Sequence, residues 1–195
     1  MIDAAEALER LREGNRRFVS GATTHSATID PASRAELVGG QTPFAIILAC
    51  ADSRVPVQLV FDEGPGDLFI IRVAGNIATP TQIGSIEYAV TQLGAELVVV
   101  LGHSGCGAVA AALESLAGDV PAPTANLEAI IDEIRPAIEG LGDASLDDAV
   151  VANVERSIAR LKEGSPILGK LVESRSLTVT GATYALETGE VNFFD

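Results

Sequence analysis

Four apolar runs, each broken by few polar residues, punctuate the chain: FAIILAC (44–50), DLFIIRVA (67–74), ELVVVLGH (96–103) and SLTVTGATYAL (176–186). A strand with one face in water alternates apolar and polar side chains, so runs this continuous belong to strands covered on both faces. Helical patterns lie between them: TPTQIGSIEYAVTQLG, then GCGAVAAALESL, then the region from about Asn126 to Glu163. Buried strands alternating with helices imply an α/β fold, a mostly parallel β-sheet flanked by helices.

An N-terminal helical arm of about residues 1–40 precedes the first run. Residues 2–19 place Ala5, Leu8, Leu11 and Phe18 toward one stripe, with Asp3 available as a cap, and Pro31 opens a second short helix toward Leu37. The stretch AGDVPAPTAN (117–126) is too short to divide domains, so residues 1–195 read as a single domain. A domain of this size buries roughly 70% of its unfolded surface and needs no disulfide staples.

Charge removes several classes of partner. The formal net charge is −14, with 13 basic against 27 acidic side chains, and the basic residues are not clustered. Binding of nucleic acid needs Lys and Arg to displace counterions from phosphates, so no nucleic-acid partner is expected. The longest uninterrupted apolar run, Phe44 to Ala51, has eight residues, far below the ~20 that span a bilayer, and no membrane association is expected. The opening MIDAAEALERLREGNRRF carries charges where a signal peptide needs an apolar core, which implies a cytoplasmic protein.

The chain has two cysteines, Cys50 and Cys106, and two histidines. In a reducing compartment two cysteines serve more often as metal ligands, catalytic groups or small core residues than as a disulfide. Ligands in open α/β sheets collect at the carboxyl ends of the strands. Cys50 ends the first run and His103 ends the third, followed by Ser104-Gly105-Cys106-Gly107. Two thiolates and an imidazole are a normal zinc ligand set, and H-x-x-C lets one tight turn supply two of them. Three protein ligands leave a fourth position open, as catalytic zinc requires. Asp52 is close enough to Cys50 either to join the metal or to accept a hydrogen bond from water on it, and Arg54 can hold that carboxylate ionised. Zn²⁺ with two thiolates is neutral, and so is the Asp52–Arg54 pair. Water there deprotonates less readily than at a three-imidazole site (pKa ~7), so a rate that climbs above neutral pH is expected.

Gly105-Cys106-Gly107-Ala108-Val109-Ala110 also matches the dinucleotide pattern G-x-G-x-x-A. No acidic residue ends a following strand at the required distance, and a cysteine would occupy the phosphate turn. The glycines instead let backbone pass close to a metal and aim helix N–H groups at an anion. His25, in a polar Thr-rich stretch, reads as an exposed loop residue.

At these residues the sequence resembles the β-class carbonic anhydrases. The resemblance runs through LREGNRRFV, CADSRVPVQLVFDEGPGDLFIIRVAGNI, GSIEYAV, VLGHSGCGAV and GATYALETGEV. It implies one Zn²⁺ per chain on Cys50, His103 and Cys106, with Asp52 alternating between Arg54 and a closed form in which it is the fourth ligand. It implies reversible hydration of CO₂ to bicarbonate and a proton, with zinc-bound hydroxide as nucleophile oriented by Asp52. Gln41 matches a glutamine that binds bicarbonate, and the Gly107 N–H lies where an anion oxygen would be held. Phe69 and Tyr88 match residues that line the CO₂ pocket from the neighbouring subunit, implying a homodimer or an assembly of dimers. An inhibitory bicarbonate site in some members uses a Trp, an Arg and a Tyr. Arg72 and Tyr184 match two of these, but the Trp position is Ile47, so that regulation is not expected. Two other functions share the motifs, hydrolysis of carbonyl sulfide or carbon disulfide and non-catalytic bicarbonate binding. An intact Asp52, Arg54 and Gln41 argues against the second.

Overall fold

The apolar runs become the parallel part of one sheet: β1 (Ala45–Ala49), β2 (Leu68–Arg72), β3 (Leu97–His103) and β4 (Thr178–Tyr184). The structure is a computed structural model that describes residues 2–24, 31–118, 122, 124–142 and 144–194. Within it the strand order is β2-β1-β3-β4-β5, where the short β5 (Val191–Phe193) adds an antiparallel edge. The sequence gives no sign of β5, whose three residues are too few to show a period.

Alternate residues of β1 serve opposite faces, as the strand period requires. Ala45, Ile47 and Ala49 pack with α1 (Ala4–Ser20) and the one-turn α3 (Val57–Val60), whereas Ile46 and Leu48 pack toward α4 (Pro80–Leu93), α7 (Leu146–Glu163) and α8 (Pro166–Glu173). A third cluster caps the carboxyl end of the strands, where α5 (Gly107–Ala117), α6 (Ala125–Ile138) and the start of α7 enclose Cys50 and Cys106. The single helical pattern read over 126–163 is thus two helices. Their boundary is chemical: Ser145 opens α7 with a capping box, its side chain accepting from Asp148 N while Asp148 accepts from Ser145 N.

The arm is also seen, as α1 with its Asp3 cap and α2 (Pro31–Leu37). Its buried stripe keeps Leu11, with Leu8 and Phe18 partly buried against the core, but Ala5 is exposed and Ala7, Gly14 and Asn15 are buried as well. Asn15 explains the shift. Its amide donates to the carbonyls of Val60 (3.1 Å) and Gly189 (2.9 Å), and its Oδ1 accepts from Val191 N (2.9 Å), so the polar residue faces inward to tie the arm to α3 and to β5. Arg17 to Asp62 (2.6 Å) and Arg10 to Glu63 (2.9 Å through Nε) add charged anchors on the same side. His25 lies outside the described residues, as do residues 119–121 and 123 of the 117–126 stretch.

Replacing Asn15 with leucine keeps the volume and strands three buried backbone groups. The expected loss is about 3 kcal/mol, at one to three per unsatisfied group with partial relief by water, measured by urea denaturation.

Candidate metal centre

The site stands where the chain order of the sheet reverses. From β1 the chain passes to β2 on one side and then to β3 on the other, and such a switch point leaves a crevice beyond the carboxyl ends of the two central strands. The parallel register of β1 and β3 sets Ala49 opposite Leu101, so Cys50, one residue on, arrives beside the Gly102–His103 end of β3. The turn after β3 then folds Cys106 back. Gly105 takes φ +65°, a left-handed conformation that costs an L side chain, and α5 starts directly after Cys106.

The result is a compact, buried trio in which the donor atoms of Cys50, His103 and Cys106 all lie within 4.8 Å of one another. The two sulfurs are 4.0 Å apart, close to the roughly 3.8 Å that tetrahedral angles and Zn–S bonds of about 2.3 Å require. His103 is fully buried, and its Nδ1 lies 2.9 Å from the Ser104 carbonyl. A carbonyl only accepts, so Nδ1 keeps the hydrogen and Nε2 carries the lone pair. That Nε2 has no hydrogen-bond partner among the described residues. A buried bare acceptor is costly unless something binds it, and facing two sulfurs it suits a soft divalent cation.

The protonation of the trio says the same. The Cys106 thiol donates to Cys50 and holds the Cys50 thiol well below its ordinary range, against the opposing effect of burial, while the same bond raises Cys106. Burial disfavours the charged form of His103, but the neighbouring charge of the Cys50 sulfur, the bond to the Ser104 carbonyl and the charge of Asp52 work against it, and the imidazole is raised. A trio that gathers protons around a thiolate will exchange them for a metal ion, with both sulfurs then anionic. Backbone donors stand ready, with the amides of Gly75 (3.4 Å) and Asp52 toward Cys50 and those of Ala108 and Val109 toward Cys106.

Asp52 stands at the rim, its Oδ2 3.9 Å from His103 Nε2. Arg54 holds both carboxylate oxygens, from its own backbone N (2.9 Å) and Nε (3.0 Å) to Oδ1 and from Nη2 to Oδ2 (2.8 Å). These bonds hold Asp52 far below the usual carboxylate range. Arg54 also reaches the Gly105 carbonyl at 3.3 Å, linking the two motif-bearing loops. Arg72 carries a part the sequence did not suggest: Nε donates to the Cys50 carbonyl (3.0 Å) and Nη2 to that of Asp52, fixing the backbone between ligand and carboxylate. Ile47 is fully buried, and it shares its core cluster with Tyr184, which sits opposite His103. Neither the Gly75 amide nor Arg72 had a spacing signal to reveal it, since the first acts from the backbone and the second on backbone carbonyls.

The remaining expected residues divide. Gly107 opens α5, so its N–H has no carbonyl within the helix and faces the end where Cys106 sits. Beside it, Ala74, Gly107, Ala108, Ala111 and Ile130 line an apolar cavity of ≈ 260 Å³. Phe69 and Tyr88 pack together, ring centroids 6.2 Å apart, but Phe69 is level with Ile46, four residues and about 13 Å before Cys50. Gln41 is exposed and precedes the same far end of β1. One chain therefore does not bring these three residues to its own trio.

The family model described as carbonic anhydrase matches residues 45–191. Carbonic anhydrase 2 of Mycobacterium tuberculosis is 39% identical over 189 residues, covering 94% of this chain and 89% of that protein. The carbonic anhydrase of Mycolicibacterium smegmatis is 37% identical over 190 residues, covering 95% and 90%. Among solved structures, the β-carbonic anhydrase CcaA superposes with a TM-score of 0.73 at 27% identity, covering 97% of this chain and 88% of that one. One of two tetrameric β-carbonic anhydrases from Sordaria macrospora gives 0.71 at 26% identity, covering 85% and 87%.

His103→Ala removes the one nitrogen donor and leaves two thiols without an opposed partner. Cobalt(II) uptake by the metal-free protein, followed by its thiolate absorption, is expected to be lost in this variant and retained in Ile47→Val, a core substitution away from the trio.

Proposed function

Because the chain belongs to the carbonic anhydrase family, we propose that it catalyses the zinc-dependent, reversible hydration of CO₂ to bicarbonate and a proton, with one Zn²⁺ per chain on Cys50, His103 and Cys106. The observation that carries this reading is the bare Nε2 of buried His103 facing two sulfurs, with the Asp52 carboxylate 3.9 Å away. A zinc ion bound there supplies Lewis acidity that lowers the pKa of water toward neutrality and so provides the nucleophile for CO₂.

The rest is done by this chain's residues. Asp52 accepts a hydrogen bond from the attacking oxygen at whichever carboxylate oxygen it turns inward, and it can do so only while ionised. Arg54 keeps it ionised and, by occupying both oxygens, keeps it turned from the metal position. Arg72 fixes the backbone that carries both Cys50 and Asp52. The Gly107 N–H, at the positive end of α5, is placed to hold an oxygen of the bicarbonate product. The apolar cavity beside it suits a small neutral substrate. The proton passes outward to buffer or water.

Gln41, Phe69 and Tyr88 serve the site of a second copy, which makes a homodimer, or an assembly of dimers, the working unit. Tyr88 is 50% exposed on a surface that also presents the partly exposed edge strand β2. The chain acts as a single catalytic domain. It works in the cytoplasm, where both buried cysteines stay reduced. Among the described residues no helix is long and apolar enough to cross a membrane.

Stopped-flow CO₂ hydration, with zinc measured on the same samples, tests the reading. Wild type should hydrate CO₂, and Asp52→Asn should keep its zinc and lose roughly ten- to a hundredfold in rate. Full zinc without hydration in wild type would sink the function, and equal rates would sink the role of Asp52. The wild-type rate should also climb from pH 7 to 9, because the neutral metal–dithiolate centre holds its water proton above the three-imidazole value of about 7. A flat profile from pH 6 to 9 contradicts that charge count.

A further inference from the structure

Behind Cys50 the chain makes a three-residue turn, Ala74–Asn76, with two successive residues in the left-handed region: Gly75 at φ 72° and Asn76 at φ 43°. Gly75 is also packed tightly, since a Cβ there would lie 2.8 Å from Ile134 and 3.2 Å from Ala108. Asn76 pays a steric cost for its conformation, and such a turn persists only if its surroundings hold it.

Helix α7 holds it. Asn153 Nδ2 donates to the Gly75 carbonyl at 2.7 Å, and Ser157 Oγ, one turn later, donates to the Asn76 carbonyl at 3.0 Å. Both side chains are buried on a helix face otherwise given to Val150, Val154 and Leu161. For stability alone Asn153 is a poor choice there. Its Oδ1 has no partner among the described residues, and a buried unpaired acceptor costs free energy that leucine would avoid. The group it grips is specific: across the same α-carbon, the Gly75 N–H points at the Cys50 sulfur, 3.4 Å away.

We propose that Asn153 is a positioning residue for Cys50. By anchoring Gly75 through its carbonyl, it keeps the Gly75 amide aimed at the sulfur. An N–H bonded to a thiolate draws off charge and fixes the sulfur's lone pairs, so the amide sets how strongly Cys50 donates to a metal. Outer partners of this kind tune metal sites even though they never touch the ion. The inference rests on the reading of Cys50, His103 and Cys106 as a metal centre.

Cobalt(II) in place of zinc tests it, because its thiolate-to-metal charge-transfer band reports on the sulfur itself. In Asn153→Leu the band is expected at lower energy than in wild type, since a sulfur relieved of its hydrogen bond gives up charge more readily. The same sulfur is more basic and no longer held in place, so it takes up a proton more readily, and release of the ion to excess chelator should be about tenfold faster. Asn153→Ala, smaller and equally unable to donate, is read in the same way if the leucine variant does not fold. A variant with the wild-type band and release rate overturns the role of Asn153 whatever its stability, because a purely structural residue would leave the band in place. A wild type that takes up no cobalt removes the metal centre, and this inference with it.

Discussion

The whole site depends on the parallel pairing of β1 with β3. Two adjacent strands that run the same way end side by side, and the register of Ala49 with Leu101 makes those ends coincide to within a residue. Cys50 leaves one end as His103 leaves the other, so residues far apart in the chain meet with no further arrangement. A slip of one position would turn every side chain of β1 to the opposite face, exchanging the set that meets α1 for the set that meets α4. The hydrophobic requirement that fixes the register therefore also fixes where the candidate metal ligands meet. Because the site inherits its precision from the core, few residues remain to be explained by function alone.

Those few are concerned with charge. The chain carries −14 overall, which neither helps nor hinders a neutral substrate such as CO₂ but repels bicarbonate. Attraction of an anion must therefore be local. Arg54 and Arg72 stand at the rim, and the amino end of α5 presents its N–H groups. Arg54 is largely engaged by Asp52, which leaves that pair neutral.

The sequence made the central pieces legible because each had a strong local signature. Continuous apolar runs pointed to the parallel strands, and the last residues of two of them, with the H-x-x-C turn after the third run, pointed to the candidate metal trio. What stayed hidden acts through backbone or across long separations. β5 is three residues long, and the residue that holds its Val191 N–H, Asn15, comes from the other end of the chain. The tie from Asn153 to Gly75 spans 78 positions and looks in sequence like one polar residue on a helix. Phe69 and Tyr88 could be named by resemblance, yet within one chain they sit at the wrong end of the sheet. Their part in a site has meaning only for an assembly, which no periodicity in a single chain encodes.

The proposed chemistry depends on one arrangement, a metal on three protein donors with Asp52 held away from it by Arg54. A crystal structure of the zinc-loaded protein at pH 8 tests this most directly. Zinc bound by the sulfurs of Cys50 and Cys106 and by His103 Nε2, with Asp52 still on Arg54 and the fourth position free for water, is the predicted result. Zinc held elsewhere, or Asp52 detached from Arg54 and bound to the metal at that pH, would contradict it.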